Sequence, residues 1–397
     1  MAAMTAYYDQ VIIGGGMVAD AAARGIREID PDSSIVVLSA DVEPPYARPA
    51  LTKKLWTDDD FSWQDAELRT AEDTGAEVRT GVFVDRIDTE AHEVVLAGGE
   101  RVRYGRALLA TGGIPSDLGL PESERIVAFR SAGDYRTVRS WADDGAHVAV
   151  VGGGYLGSEI AASLVQNGAR VTLVVPEQSP LGELLPASLA GTVQAWFEAA
   201  GVQLRRGVRV DSGTAHDTGV ELVLDDGSTL AADAAVIAVG IRPETLVAER
   251  SGLELGDGVR VDSSLQTSAA DVYAAGDTAE YPDPILGRRR VEHVDNAQEM
   301  GRIAGRVLAG AEEHYDHTPY YYSVLFGTRF EAVGSLDSSL ATVEDLRDGR
   351  GVVYYLDGPL PVGVLLWDVE GARDAARATI ASGSVADPEE LRGRIPF

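Results

Sequence analysis

Both lysines of the chain stand side by side in the segment PYARPALTKKLW, residues 45–56. All the remaining residues among the 34 lysines and arginines are arginines, including Arg48 in the same segment. An ammonium group is a compact point charge, whereas a guanidinium is a planar fork that matches phosphate oxygens. We therefore treat Lys53 and Lys54 as candidates for chemistry that arginine cannot perform; the alternative is an accident of composition.

A first glycine cluster, Gly14-x-Gly16-x-x-Ala19, lies between the apolar run 11–13 and an alanine-rich helical stretch. A second apolar run, residues 35–38, completes a strand–helix–strand unit. Glycines at this spacing let the backbone approach a pyrophosphate, whose charge faces the helix N-terminus. The pattern predicts a dinucleotide site; the alternative is a tight turn with no ligand.

A second cluster, Gly152-x-Gly154-x-x-Gly157, follows a strand predicted at 147–151 and opens another helix. Glu177 ends the next predicted strand, where a carboxylate can accept from a ribose 2′-hydroxyl and repels a 2′-phosphate. This favours NADH over NADPH, unless Glu177 is only a surface loop acid. Two dinucleotide sites in one chain imply two cofactors, FAD and NAD.

The composition narrows the classes of function. The 397 residues carry a net charge of −29, which repels phosphate backbones and makes nucleic-acid binding improbable. The chain has no cysteine, which excludes disulfides, thiolate metal sites and a CxxC redox pair. The spacing of His314 and His317 lacks a third ligand, so we predict no metal site. No apolar run approaches the roughly 18 residues of a membrane span, and the N-terminus has no basic, apolar signal, which favours the cytoplasm.

The remaining elements predict the organisation of the chain. Short alternating strands with tight turns follow each glycine unit, and from about residue 319 the pattern changes to a hairpin and a helix. We predict an α/β fold with two Rossmann-like FAD/NAD(P)-binding domains and a C-terminal α+β domain of the dimerisation or interface type. The predicted bounds are 1–118 with 243–318 for the FAD domain, 119–242 for the NAD domain and 319–397 for the last.

Seven motifs follow one another along the chain: PYARPALTKKLW, LLATGG, FRSAGDYR, VVGGGYLGSEIA, VGIRPE, VYAAGD and GRRRVEH. In these motifs and their order the chain resembles FAD-dependent pyridine-nucleotide reductases. The chain resembles the branch of this family that holds apoptosis-inducing factor and the bacterial ferredoxin, rubredoxin and putidaredoxin reductases. The resemblance covers essentially the whole chain, and FEAVGSLDSSLATV and VGVLLW lean towards apoptosis-inducing factor.

The resemblance implies roles in the lysine segment. Arg48 would contact the phosphate region of FAD, and Lys53 would lie near the flavin N5 atom and pair with Glu159. A reduced flavin develops negative charge that a compact ammonium can stabilise. Lys54 is expected to be a solvated helix residue.

Further cofactor contacts are implied by the same resemblance. Val84 would meet the adenine through its backbone, and Asp277 would accept a ribityl hydroxyl. The other implied residues on the FAD side are Thr111, Gly112, Arg130, Glu292 and His293, and those on the NAD side are Tyr155, Leu156 and Gly240.

The chain also departs from the family pattern. The acid expected for an adenosine ribose is replaced by Ala40, so Asp41 either substitutes or the contact is lost. Tyr322 stands where a tryptophan covers the flavin, and it can still stack. Val324 stands where reductases often have aspartate, and Val294 where apoptosis-inducing factor has a second histidine.

We therefore predict an NADH oxidoreductase that passes a hydride to FAD and electrons to a carrier of the ferredoxin or rubredoxin type, or to a small acceptor. The acidic surface opposes an acidic ferredoxin at low salt, because like charges slow encounter. The alternative is an NADH-responsive redox sensor with slow turnover, like apoptosis-inducing factor. A homodimer is left open.

Overall fold

The computed structural model describes residues 5–397 and divides them into two compact units. The first unit holds the described residues up to Pro49 together with Phe61–Ile114 and Pro243–Pro319, and the second holds Ala50–Asp60, Pro115–Arg242 and Tyr320–Phe397. The lysine pair thus belongs to the second unit, whereas Arg48 belongs to the first. The finer three-domain division stays a prediction.

Within residues 5–397 the chain forms strands and α-helices that we number in chain order. The strands are β1 (Ala6–Ile13), β2 (Ile35–Leu38), β3 (Glu77–Arg79), β4 (Val84–Asp88), β5 (Glu93–Leu96), β6 (Arg101–Leu109), β7 (Gly113–Pro115), β8 (Ile126–Ala128), β9 (His147–Val151), β10 (Arg170–Val175), β11 (Gln203–Arg206), β12 (Val210–His216), β13 (Gly219–Leu224), β14 (Thr229–Ala232), β15 (Ala234–Ile237), β16 (Ile241–Pro243), β17 (Val259–Arg260), β18 (Val272–Ala274), β19 (Ala279–Asp283), β20 (Gly287–Arg289), β21 (Tyr320–Leu325), β22 (Thr328–Gly334), β23 (Ala341–Arg347), β24 (Arg350–Asp357) and β25 (Leu360–Trp367). The helices are α1 (Met17–Ile29), α2 (Lys54–Thr57), α3 (Trp63–Ala66), α4 (Thr70–Thr74), α5 (Ala132–Asp143), α6 (Tyr155–Gln166), α7 (Ala187–Ala199), α8 (Leu246–Arg250), α9 (Val294–Leu308) and α10 (Arg373–Ala381).

The first unit is built on a seven-stranded sheet with the order β3-β2-β1-β6-β5-β4, in which β18 also pairs with β6. Strands β3, β2, β1, β6 and β18 are parallel to one another, whereas β5 pairs antiparallel with β6. Val11, Ile12, Val36 and Leu108 of these strands are fully buried. Continuous apolar runs are typical of parallel strands covered on both faces. The carboxyl ends of β1, β2, β6 and β18 therefore lie along one edge of the sheet.

Helix α1 packs against α9 at a distance that only glycine permits. An ideal Cβ atom on Gly305 would lie 2.0 Å from Ala22 O, and one on Gly25 would lie 2.2 Å from Arg302 O. These contacts are between a side-chain position of one helix and the backbone of the other, so no rotamer change can relieve them. The contact fixes α1, and with it the glycine turn that precedes this helix.

The second unit contains a parallel sheet, β11-β10-β9-β15-β8, a three-stranded meander, β12-β13-β14, and an antiparallel sheet, β21-β22-β25-β24-β23. Helix α7 joins the first and last of these, because Trp196 stacks on Trp367 with ring centroids 5.6 Å apart. Phe197 contacts Phe326 beside it. Together with the first unit, this is the mixed α/β fold that the sequence predicts.

None of the helices between residues 5 and 397 combines the length and the apolar character needed to cross a bilayer.

Replacing Gly305 by alanine is expected to destabilise the protein by about 1–3 kcal/mol, because the new methyl group has no room against α1. The matched control is Gly191→Ala in α7, where an ideal Cβ atom meets nothing within 4 Å. That change should stabilise the protein by up to about 1 kcal/mol through helix propensity. Chemical denaturation followed by circular dichroism measures both; equal effects of the two substitutions would contradict the close-packing argument.

Candidate functional site

The first glycine turn is closed against two neighbouring strand ends. Gly14 has φ +119°, and an ideal Cβ atom there would lie 2.1 Å from Ala110 O, just beyond β6. An ideal Cβ on Gly15 would lie 2.1 Å from Ser39 Oγ, just beyond β2. Any side chain at these two positions would therefore push the turn away from the sheet edge.

The third position of this turn is open. Gly16 precedes α1 with no side-chain cap, and an ideal Cβ atom there would meet nothing nearer than Arg48 Nη2, at 4.0 Å. Ala19, one turn later, is fully buried. Uncapped N–H groups at a helix N-terminus, with a guanidinium beside them, form a cradle for an anion. These residues fit the pyrophosphate of a dinucleotide such as FAD.

The segment after β6 lies against the same turn and is fixed by Glu244. Thr111 Oγ1 donates to Glu244 O at 2.6 Å, and Glu244 N donates to Gly112 O at 2.9 Å. The Thr111 side chain is thus engaged within the first unit. A contact of this segment with a pyrophosphate would therefore involve its backbone, and the roles of Thr111 and Gly112 towards FAD stay predictions.

Asp277 follows β18 and so comes to the same sheet edge. It lies in the 3₁₀ helix Gly276–Thr278, where an ideal Cβ on Gly276 would lie 2.4 Å from Val18 Cγ2 of α1. Glu292 is exposed and pairs with Arg290, and His293 directly precedes α9. The roles of Asp277, Glu292 and His293 towards a cofactor stay predictions.

Asp41 is built into its own loop. Its carboxylate accepts from Glu43 N and from Tyr46 Oη, each at 3.1 Å. Val82 N donates to Ser39 O at 2.8 Å, which brings the segment before Val84 to this loop. A ribose contact by Asp41 would have to share the oxygens that already hold the loop, so this contact stays a prediction.

The second glycine turn repeats the geometry of the first. Gly152 has φ +119°, and its ideal Cβ would lie 2.3 Å from Ala238 O, just beyond β15. Gly154 precedes α6 with no side-chain cap, and an ideal Cβ there meets nothing within 4 Å. On Gly157 an ideal Cβ would lie 2.0 Å from Gly152 O, so only glycine lets α6 begin here. The turn fits a second dinucleotide.

Glu177 lies beside this turn. An ideal Cβ on Gly153 would lie 3.1 Å from Glu177 Oε2. Burial raises the pKa of the Glu177 carboxyl above its ordinary value, and the neighbouring carboxyl of Glu183 raises it further. Gly240, which follows β15 with φ +102°, has open space around it.

Tyr155 and Leu156 are the first two residues of α6. The ring of Tyr155 packs against Tyr321 and Phe330, with centroids 5.7 and 6.1 Å away. Its hydroxyl is buried and makes no hydrogen bond within residues 5–397. Burial raises the pKa of this hydroxyl well above its ordinary value, so it stays a neutral donor.

Lys53 and Glu159 form a buried ion pair in the second unit. Lys53 Nζ lies 2.7 Å from Glu159 Oε2, and their side chains are only 16% and 5% exposed. Thr52 Oγ1 donates to the same oxygen at 2.7 Å, and Ser323 Oγ donates to Oε1 at 2.7 Å. Lys54, by contrast, is exposed in α2.

The lysine segment is held along one side of α6. Ser163 Oγ donates to Thr52 O at 3.0 Å, and Asn167 Nδ2 donates to Trp56 O at 3.3 Å. With Glu159 these residues are spaced by four, which places them in one row on the helix. Residues 52–56 are therefore fixed relative to the second glycine turn.

Tyr322 lies between cations of two segments. Lys53 Nζ is 5.3 Å from its ring centroid, and Arg329 Cζ is 4.3 Å from it. Buried Glu331 accepts from Arg329 Nη2 at 2.7 Å and from Arg373 Nε at 2.6 Å. Burial raises the pKa of Tyr322, so its ring stays neutral beside Lys53.

Arg130 also belongs to the second unit. Its backbone N–H donates to Asp134 Oδ2 at 2.8 Å, at the start of α5. The predicted contact of Arg130 with FAD stays a prediction.

Sequence reasoning missed Thr52 and Ser323 as partners of Glu159. A signal for part of this cluster exists in the sequence. Glu159, Ser163 and the C-cap residue Asn167 recur every four residues along α6, and Glu159 and Ser163 are buried. Such a row predicts a polar segment lying against the helix, but not which segment.

Comparisons with known proteins agree with these features. Residues 8–301 match the family model described as pyridine nucleotide-disulphide oxidoreductase. The ferredoxin–NAD(+) reductase component of an anthranilate 1,2-dioxygenase system from Burkholderia cepacia is 33% identical, over 96% of each chain. A crystal structure of a ferredoxin reductase from Rhodopseudomonas palustris superposes with a TM-score of 0.86 at 25% identity, covering 96% of each chain.

A relative from Drosophila melanogaster, named for mitochondrial apoptosis-inducing factor 1, is 32% identical over 93% of this chain. The chain spans 62% of that protein's length.

Replacing Lys53 by methionine is expected to destabilise the protein by about 2–4 kcal/mol, because the Glu159 carboxylate stays buried without its counter-charge. Lys54→Met is the matched control and should change stability by less than about 0.5 kcal/mol, since Lys54 is exposed. Urea denaturation of both variants provides the measurement. A Lys53 variant as stable as the Lys54 variant would show that the pair contributes no net stability.

Proposed function

The chain belongs to the pyridine nucleotide-disulphide oxidoreductase family, and from that premise we propose that it is an FAD-dependent NADH oxidoreductase that delivers electrons to a carrier protein. The observation that carries the proposal is the repeated turn. In each of two strand–turn–helix units, the turn ends in a glycine directly before an uncapped helix N-terminus. These glycines are Gly16 and Gly154, and the space where a side chain would stand is open at both. Two such cradles in one chain suit two dinucleotides, one resident and one exchangeable.

The first unit would hold FAD. The N-terminus of α1 and the Arg48 guanidinium would bind its pyrophosphate, and Asp277 would accept a ribityl hydroxyl. Bound FAD supplies the hydride-accepting and electron-releasing chemistry. Lys53, held by Glu159, would place a fixed ammonium where negative charge develops, in a setting with little water to screen it.

The second unit would bind the nicotinamide dinucleotide. Its pyrophosphate would lie on Gly154 and the first N–H groups of α6, with Tyr155, Leu156 and Gly240 around the entry to the site. Glu177 would accept from the ribose 2′-hydroxyl. A carboxylate at this place disfavours a 2′-phosphate, so we propose that NADH is used in preference to NADPH.

Electrons must leave the chain to an outside acceptor. The chain has no cysteine, so it lacks the residues for the disulphide chemistry that the family's description names. The likeness to the Burkholderia cepacia ferredoxin–NAD(+) reductase component supports a ferredoxin-type carrier. A rubredoxin-type carrier, a homodimeric state and a cytoplasmic location are further proposals from the sequence.

A second candidate is an NADH-responsive sensor with slow turnover. The likeness to the Drosophila melanogaster relative favours it, as does Tyr322 at a position where the family resemblance implies a flavin-covering tryptophan. In a sensor, NADH binding would mainly change shape or association.

We expect NADH to reduce the flavin of the FAD-loaded protein rapidly, and a [2Fe–2S] ferredoxin or a rubredoxin to reoxidise it faster than air does. Stopped-flow absorbance at low and high salt measures both steps. The net charge of −29 should make reoxidation by an acidic ferredoxin faster at high salt, because screening removes the repulsion. Slow reduction with a persistent, air-stable charge-transfer band would instead support the sensor.

In the same measurement, Lys53→Arg should slow flavin reduction by NADH on the order of tenfold or more. The guanidinium keeps the charge but cannot occupy the place of a compact ammonium. Lys54→Arg is the matched control and should react like the unmodified protein. Equal and negligible effects of the two changes would mean that the lysine pair is an accident of composition.

Glu177→Gln should lower the preference for NADH over NADPH on the order of tenfold at pH 8, because the repelling charge is lost. Since the pKa of Glu177 is raised, the preference of the unmodified protein should begin to fall at a higher pH than an ordinary glutamate would give. The preference is present above that pKa and lost as the pH falls through it.

The ratio of kcat/KM values for the two cofactors, measured from pH 5 to 8, checks this expectation. In the Glu177→Gln variant residue 177 no longer titrates, so its pH profile reports the titration of the NADPH 2′-phosphate alone. Glu198→Gln in α7 is the control for removing an exposed acid. A pH profile shared by the unmodified protein and Glu177→Gln would sink the proposed role of Glu177.

A further inference from the structure

We infer that Ser323 is a positioning residue for the Lys53 ammonium, acting through the carboxylate of Glu159. The inference deepens the proposed function and rests on its placement of Lys53 beside the flavin. What it adds is a residue of the C-terminal sheet that controls where the charge of Lys53 is held.

The two oxygens of Glu159 are served by different segments. Oε2 accepts from both Lys53 Nζ and Thr52 Oγ1, which are consecutive residues, while Oε1 accepts from Ser323 Oγ. The last torsion of a glutamate side chain has a broad, nearly two-fold profile and does not fix itself. A donor on each oxygen is therefore needed to hold the carboxylate plane in one orientation.

Ser323 is well suited to be that second donor. It is fully buried, and it lies in β21, which pairs with β22 over its whole length. Its hydroxyl is thus anchored by the backbone of a sheet rather than by a loop. Thr52 cannot replace it, because Thr52 donates to the oxygen that already holds Lys53.

Without the Ser323 hydroxyl the carboxylate can turn about its last torsion, and the ammonium bound to it moves as well. Tyr322, the neighbour of Ser323 in β21, lies within 5.3 Å of the same ammonium. A displacement of about 1 Å of a positioned charge costs on the order of 100-fold in rate in enzymes that depend on it. Because Lys53 keeps its ion pair with Glu159 Oε2 in this variant, we expect a smaller loss, about tenfold.

The test uses the FAD-loaded protein and four variants, Ser323→Ala, Ser323→Cys, Ser323→Thr and Glu159→Gln, with the double variant Ser323→Ala/Glu159→Gln. Two quantities are measured. One is the rate constant of flavin reduction by saturating NADH, and the other is the flavin midpoint potential, obtained by chemical reduction against a reference dye without NADH.

Ser323→Ala should reduce the flavin about tenfold more slowly, with the NADH concentration for half-saturation unchanged and the potential shifted to a more negative value. Ser323→Cys fills the same space with a weak donor and should behave like Ser323→Ala. Ser323→Thr keeps the hydroxyl and should recover most of the rate and potential. In the Glu159→Gln background, Ser323→Ala should add less than a twofold change, because residues that act as one unit are not additive.

A Ser323→Ala protein with unaltered rate and potential would overturn the inference. So would a Ser323→Ala effect of full size in the Glu159→Gln background, or a Ser323→Cys protein that behaves like the unmodified one. If NADH fails to reduce the unmodified FAD-loaded protein, the proposed function falls. The chemically measured potentials of the Ser323 variants would then still decide whether Ser323 positions the charge.

Discussion

Burying a carboxylate as deeply as that of Glu159 costs free energy unless donors surround it. Here the donors come from residues 52–53 and from Ser323, which are separated from Glu159 by more than a hundred positions of sequence. The carboxylate lies little more than one turn into α6, and α6 begins at the second glycine turn. One helix therefore carries the anion cradle at its end and holds the buried cation along its side, so the two are fixed relative to each other.

The parts of the molecule that the sequence could predict are those fixed by short-range steric rules. Strands β2 and β9 occupy the predicted runs because short continuous apolar stretches in a strand–helix–strand unit are typical of buried parallel strands. The turns after β1 and β9 are glycine-rich because carbonyl oxygens and neighbouring strand ends occupy the space of a side chain. In both turns a side chain is excluded at the first two glycines but not at the third, where the space is open. Within one motif, the first two glycines thus serve packing, and the third leaves room for a bound group.

The parts that the sequence could not predict depend on contacts between distant segments. Nothing local to Ser323 tells that its hydroxyl faces a carboxylate, because that depends on how β21 is placed relative to α6. Asp41 is another case. Its carboxylate accepts hydrogen bonds from Glu43 and Tyr46 of its own loop, and no pattern of residue types in the sequence indicates these contacts. The family resemblance implies Tyr155 as a cofactor contact, but the burial of its hydroxyl follows from Tyr321 and Phe330, which come much later in the chain.

Each of the two units is made of separate segments of the chain, and this determines when each unit can complete its fold during synthesis. Residues 50–60 leave the first unit for the second, and Pro243–Pro319 return to the first after the parallel sheet of the second has been made. The ribosome must therefore release residues up to about 319 before the first unit has all its parts, and at least β21 and β22 before Ser323 can be fixed against Glu159. Neither unit is one contiguous stretch of the chain, so a single cut or truncation cannot release one of them intact without segments of the other. The nascent chain therefore has to keep its unfinished sheets from aggregating until late in translation.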